Sequence, residues 1–222
     1  MKPIFLGPIM ARVQVGGRKG TLDDPLRCAI FISGSGTGME AILACQEGEV
    51  NHTTSVVISN KADVEGITRA ERFGIPTHVV SHRNPSGERI SREEHESNIL
   101  SILEDYDIEL VVLSGYMLIL SPFFIERYAP HIVNIHPSLL PKFPGAHAHR
   151  EVLEAKETLT GCTIHLVDEG MDTGQILAQT RVPIFKEDTV DVLSKRVKVE
   201  EHRLYPFVID AIANGEIFLE AA

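Results

Sequence analysis

Residues 28–47 read CAIFISGSGTGMEAILACQE, and the order of an apolar run, a glycine-rich turn and a helical period decides the fold class. Cys28 to Ile32 is short and continuously apolar, as expected for a strand buried on both faces. Gly34, Gly36 and Gly38 punctuate a turn, and from Met39 onward the apolar residues fall at helical spacing. This is a βα unit. The alternation continues through TSVVIS (54–59), VEGITRAERF (64–73) closed by Gly74, and THVVS (77–81). It goes on through SREEHESNILSILEDY (91–106), ELVVLS (109–114), SPFFIERY (121–128) and HIVNIH (131–136). Ser91 stands as a helix cap with acids in the following turn, and Ile99, Ile102 and Leu103 share one face. Strands alternating with helices predict an α/β domain, a Rossmann-like, mostly parallel twisted sheet with helices on both faces.

Past residue 146 the pattern changes. HAHREVLEAKE (147–157) is helical, whereas GCTIHLVDEGMDTGQILAQTRVPIF (161–185) reads as two strands around a Gly- and Asp-rich turn, suited to antiparallel pairing. The tail from Asp188 to Gly215 is helical to about Tyr205, where Pro206 is expected to kink or restart the helix. Residues 1–26 are broken by Gly and Pro and read as an extension with a short strand near Ala11 to Val15; residues 27–222 read as one domain.

Composition narrows the function classes. The chain has 222 residues, 43% of them apolar, and a formal net charge of -10. Such a charge argues against nucleic acid and anionic membrane as partners and favours small ligands held at local positive sites. Cys28, Cys45 and Cys162 each lie in an apolar run, as reduced buried thiols do. No run reaches the ~18 apolar residues of a membrane helix, and the first twenty residues, interrupted by Pro3, Gly7, Pro8 and Arg12, do not read as a signal peptide. A cytoplasmic protein is expected.

The chemistry concentrates in NIHPSLLPKFPG (134–145). Strand alternation puts Asn134 and His136 on one face and Ile135 on the other, while Pro137, Pro141 and Pro144 stiffen the loop that follows. Asp172, from the turn DEGMDTG, can fix the tautomer of His136 and favour its protonated form, and the Asn134 amide can stabilise an oxyanion. These three suggest acyl transfer without a covalent nucleophile. Ser138 has no GxSxG elbow around it. A zinc site built from His136, His147, His149 and His165 lacks a carboxylate or cysteine at recognisable spacing, so no metal is expected. The loop Gly34 to Gly38 can take a phosphate on backbone N–H groups at a helix start, but GxGxG falls short of the dinucleotide fingerprint.

The blocks SNKADVEG (59–66), LSGYMLILSP (113–122), NIHPSLLPKFPGAHAHR (134–150), HLVDEGMDTGQIL (165–177) and EEHRLYP (200–206) stand here in a telling order. On them, the chain from about Arg27 to Ile217 resembles the phosphoribosylglycinamide formyltransferases, folate-dependent enzymes of purine synthesis. The resemblance implies 10-formyltetrahydrofolate as co-substrate and glycinamide ribonucleotide as formyl acceptor, in a monomer or homodimer. It implies that Asn134, His136 and Asp172 are catalytic, with His165 in support. It also implies that Gly36, Thr37 and Gly38 hold the ribonucleotide phosphate and that Glu201 receives the acceptor amine. For the folate it implies Arg92 at the glutamate carboxylate and Met117, Leu118, Leu120 and Val167, with Leu113, around the pterin. Two positions depart from the family pattern: Gly38, where asparagine is usual, and Leu118, where a basic residue is common.

Three alternatives follow from the same residues. A formyltetrahydrofolate deformylase would share the catalytic trio but is expected to carry a regulatory domain ahead of it and NIHHS in place of NIHPS. A methionyl-tRNA formyltransferase would need a further C-terminal domain and a basic surface. A non-catalytic folate or nucleotide sensor would have no use for an oxyanion donor beside an acid-base pair.

Overall fold

The computed structural model describes residues 9–10, 18–84 and 86–217. In chain order the elements are β1 (Ile9–Met10), β2 (Leu26–Ile32), α1 (Thr37–Cys45), β3 (His52–Ser59), α2 (Glu65–Arg72), β4 (Thr77–Val79) and α3 (Arg92–Asp105). They continue with β5 (Leu110–Leu113), α4 (Pro122–Tyr128), β6 (Ile132–His136), α5 (Ala148–Glu154), β7 (Leu159–Leu166), β8 (Ile176–Pro183) and α6 (Val190–Ala213). All the described strands form one sheet in the order β1-β8-β7-β6-β5-β2-β3-β4. The neighbours from β4 to β6 pair parallel, and β6–β7, β7–β8 and β8–β1 pair antiparallel. The α/β class and the antiparallel pairing of the two late strands are as the sequence predicts.

Strand alternation builds two cores. Cys28, Ile30 and Ile32 of β2 join Leu110 and Val112 of β5 in a cluster covered by Met39, Ile42 and Leu43 of α1, Val152 of α5 and Val197, Leu204 and Val208 of α6. Ala29 and Phe31 point the other way, with Val111 and Leu113, against Ile99 and Leu103 of α3 and Phe124 of α4. Burial of each large apolar side chain contributes about 1.5–3 kcal/mol, and both faces of these strands take part, which is why their sequence reads as an unbroken apolar run.

Two local features steady the loops at the carboxyl ends of the strands. Ser91 caps α3, its side chain accepting from the Glu94 N–H at 3.0 Å. Buried Glu96, further along α3, accepts from the Ser121 N–H at 2.7 Å and from the Ser121 hydroxyl, so one helix caps the start of α4 and fastens the loop between β5 and α4.

The sequence and the structure differ at Pro206. Instead of breaking, α6 runs as one 24-residue helix with Pro206 inside it. Proline removes one donor from the helical ladder, but the adjacent Tyr205 anchors the helix to the sheet. Its buried hydroxyl donates toward the carbonyl oxygens of Leu113 and Val133, at 2.9 and 3.0 Å. Tertiary packing outweighs the local penalty. Parts of the expected N-terminal extension also touch the domain. Ile9 and Met10 pair with Gln179 and Ala178, and Arg18 bridges Asp24 and Glu109, at 2.7 Å each. The strand expected near Ala11 to Val15 lies outside the described residues.

Candidate active site

From β2 the chain passes to β3 and β4 on one side and then returns to β5 on the other, so β2 and β5 flank a topological switch point. Ligands of open α/β sheets bind in the crevice at such a point. A cavity of about 350 Å³ opens there, lined by Ser33 to Gly38, Ser114, Gly115, Met117, Ile135, Pro137, Lys198, Glu201 and Tyr205. Gly36, at φ 69°, turns the chain into α1 without any side-chain cap, so the first N–H groups of that helix have no intrahelical partner and are available to an anion. Gly66 supports the turn from behind. Its N–H donates to Gly34 O at 3.1 Å, and a Cβ on Gly66 would lie 2.5 Å from Ile32 Cδ1 and 2.8 Å from Gly34 O.

Opposite the glycine turn, α6 presents Lys198 and Glu201 to the cavity, one helical turn apart and therefore on one face. Burial pushes the Glu201 carboxyl up to about 7, against the pull of Lys198.

At the end of β6 a second group of residues meets. Asn134 and His136 share the sheet face of Ile132, while Ile135 packs into the opposite core. In the antiparallel register Asn134 lies across from His165. The His165 Nδ1–H donates to Leu166 O at 2.7 Å, which leaves Nε2 to accept from the Asn134 amide at 3.2 Å. One amide N–H of Asn134 is thereby engaged and the other remains available. Asp172 closes the group, with Oδ2 3.2 Å from His136 Nδ1 and Oδ1 3.5 Å from His165 Nε2. Its Oδ2 also accepts from the Gly145 N–H at 2.7 Å, so the end of the proline-rich loop and the turn carrying Asp172 hold each other. Asp172 adopts φ 55°, a left-handed conformation that aspartate tolerates better than most residues.

Burial and polar partners oppose each other at both His136 and Asp172, and the winner differs. Burial pulls His136 below the ordinary imidazole range; the Phe143 carbonyl and the Asp172 carboxylate pull it back, and burial prevails. Favouring of the protonated form, expected from Asp172 alone, is thus overridden by burial in the ligand-free chain. The geometry keeps the opposite tendency alive: Nε2 faces Phe143 O at 2.8 Å and Nδ1 faces Asp172, so both ring nitrogens meet acceptors, an arrangement satisfied in full by the imidazolium. For Asp172 burial would raise the carboxyl, but His165, the Gly145 N–H and His136 together hold it down at about 2. It is an anion at neutral pH.

The structure therefore brings Asn134, His136, His165 and Asp172 into one cluster and Gly36, Thr37, Gly38 and Glu201 into one cavity. Leu113, Leu120 and the partly buried Leu118 and Val167 share an apolar cluster under α3 and α4. Met117 is apart from them, 68% exposed, with its N–H donating to Ser33 Oγ at 2.8 Å, and it lines the glycine-turn cavity. Arg92 is exposed at the start of α3 and makes no ion pair with a described residue. Sequence reasoning missed Lys198, Ser114, Gly66 and the Phe143 carbonyl. Of these only Lys198 left a signal, its spacing of three from Glu201 on a helix. Among the described residues no group of three or more His, Cys, Asp or Glu is placed to hold a metal ion, and no helix is long and apolar enough to cross a membrane.

Residues 26–209 match the profile of the formyl transferase family. The chain belongs to that family. Among curated formyl transferase relatives, the phosphoribosylglycinamide formyltransferase of Escherichia coli K12 is 39% identical over 193 residues, covering 86% of this chain and 89% of that protein. The trifunctional purine biosynthetic protein adenosine-3 of Gallus gallus is 45% identical over 193 residues. The match covers 86% of this chain but only 19% of that larger protein. The solved glycinamide ribonucleotide transformylase 1 of Symbiobacterium toebii superposes with a TM-score of 0.83 at 39% identity, covering 89% of this chain and 92% of that one.

Proposed function

We propose that this formyl transferase moves the formyl group of 10-formyltetrahydrofolate to the amine of glycinamide ribonucleotide. The observation that carries the reading is the joining of two sites at the carboxyl edge of one sheet. One is a cavity with an uncapped helix start at one wall and Glu201 at the other; the other is an Asn134, His136 and Asp172 cluster at the adjoining strand end. The phosphate occupies the N–H groups of Gly36, Thr37 and Gly38, and the acceptor amine lies toward Glu201. The folate enters along Leu113, Leu118, Leu120 and Val167, with Met117 between the two substrates and Arg92 meeting its glutamate carboxylate.

In the reaction the amine nitrogen attacks the formyl carbon and the carbonyl oxygen becomes an oxyanion. The free N–H of Asn134 donates to it, and so does His136 once the formyl oxygen replaces Phe143 O at Nε2. The C–N10 bond then breaks as a proton from the attacking nitrogen reaches N10 through water, with Asp172 stabilising the imidazolium form of His136 against the burial that disfavours it. His165 orients the amide of Asn134. No acyl-enzyme forms.

The test is formyl transfer followed by absorbance, with and without the ribonucleotide. Turnover is expected only with both substrates present; formate release without the ribonucleotide would overturn the reading.

Glu201 adds a pH dependence. Its folded value near 7 lies above the ordinary 4.5, so folding favours the protonated acid, and stability falls as pH rises between those values and levels off above about 7. The carboxylate attracts an ammonium group and the neutral acid does not. The acceptor KM is therefore expected to fall as pH rises through about 7, and Glu201→Gln should flatten both that trend and the stability decline. Parallel pH profiles for the two proteins would contradict this assignment.

A further inference from the structure

Gly38 and Ser114 face each other across the floor of the cavity. A Cβ built on Gly38 would meet a single neighbour within 4 Å, the Ser114 Oγ, at 2.7 Å. Any larger residue at 38 would therefore press on this hydroxyl. Ser114 follows directly on β5, and its N–H is bonded to Phe31 O at 2.9 Å, so the backbone beneath it is fixed. Its side chain is different. The residue is only 8% exposed, yet its Oγ makes no hydrogen bond with any described residue, although Oγ lies beside a cavity that it lines.

A hydroxyl that opens on a cavity and has no protein partner there is free to meet a ligand. The neighbouring Ser33 shows the ordinary solution, accepting from the Met117 N–H. The same cavity offers an oxyanion the unpaired N–H groups at the start of α1 and Lys198 on the facing helix, with the Glu201 carboxyl one helical turn further along. Amides, a hydroxyl and an ammonium converging on one space fit the tetrahedral oxygens of a phosphate monoester.

We propose that Ser114 Oγ donates a hydrogen bond to the phosphate of the bound ribonucleotide, and that glycine at 38 is what opens the path to it. The inference rests on the acceptor reading above and adds a binding residue to it. Where a side chain at 38 would contact the phosphate itself, this chain leaves the space empty and supplies the hydroxyl from β5. The two positions are then coupled: a substituent at 38 should matter chiefly because Ser114 is there.

Binding is read by calorimetry on the full chain with three probes: glycinamide ribonucleotide, ribose 5-phosphate, and the glycinamide riboside lacking phosphate. Ser114→Ala is expected to weaken the two phosphorylated probes by about 10- to 100-fold, the range of a hydrogen bond to a charged group, and to leave the riboside unchanged. Gly38→Ala should weaken the phosphorylated probes comparably in the parent protein and much less in the Ser114→Ala background, where no hydroxyl remains to be crowded. Unchanged phosphate affinity in Ser114→Ala overturns the proposal, as does equal loss of the riboside, which would indicate a general disturbance of the cavity. Simple addition of the two substitutions overturns the coupling. A parent protein that binds neither phosphorylated probe overturns the acceptor reading itself, a result distinct from parent binding that survives the loss of Ser114.

Discussion

His136→Ala is expected to lower kcat for formyl transfer by about 10²- to 10⁴-fold, the usual contribution of a positioned acid-base group, with little change in KM for either substrate. The size and kind of the effect follow from what His136 touches. Its two nitrogens face Phe143 O and Asp172 Oδ2, and neither the phosphate turn nor Glu201 is among its partners. Alanine would therefore remove a transition-state donor without opening the ribonucleotide cavity. Asp172 would keep the Gly145 N–H and its approach to His165, so the loop retains one tie. The loss of a buried hydrogen-bonded side chain should still cost about 1–3 kcal/mol of stability, visible as a lowered unfolding midpoint. For that reason His136→Gln is the companion variant: it keeps a donor and most of the volume but cannot carry charge. Near-normal kcat in either protein would remove His136 from the chemistry. A large rise in acceptor KM with kcat intact would make it a binding residue instead.

The alternation of strands and helices was legible because each parallel strand is buried on both faces and each helix carries one apolar stripe. Ile30 and Phe31 show this, adjacent in sequence and packed in opposite cores. The spatial order of the strands was not legible, since nothing local in TSVVIS or ELVVLS says on which side of β2 each will lie. At the site, Asn134 and His136 were readable from a period of two, and a steadying carboxylate from the acid-rich turn DEGMDTG, although residue type alone does not separate Asp172 from Asp168 and Glu169. The partner of His136 Nε2 was not. Phe143 contributes a backbone carbonyl, presented from φ 56°, and a main-chain atom leaves no mark in the residue type. Ser114 was hidden for another reason: its relevance lies in the absence of a side chain at Gly38, seventy-six positions earlier and adjacent only once β2 and β5 pair. Pro206 misled because a helix penalty can be read locally, whereas the hydroxyl of Tyr205 bridging β5 and β6 cannot.

Asn134→Ala should lower kcat by about 10²- to 10³-fold, the effect of deleting one oxyanion donor, and the pattern of the loss distinguishes its role from that of His136. The amide makes one described hydrogen bond, to His165 Nε2, and its second N–H is free in the ligand-free chain. An interaction that exists only once the formyl oxygen carries charge stabilises the transition state more than the ground state. Hence kcat and kcat/KM should fall together, with the KM of the folate near its parent value. His165 complicates the reading, because alanine at 134 also leaves Nε2 without its donor. His165→Ala supplies the control: it removes that hydrogen bond while the amide stays, and it should cost far less if His165 only orients the amide. Asn134→Asp sharpens the test further, since it preserves size but replaces a donor with an acceptor beside the Asp172 anion, and like charges placed together in a buried cluster repel. Asp at 134 should therefore be at least as damaging as Ala at neutral pH. Equal activity of the Asn134→Asp and parent proteins would mean that no oxyanion forms within reach of this amide.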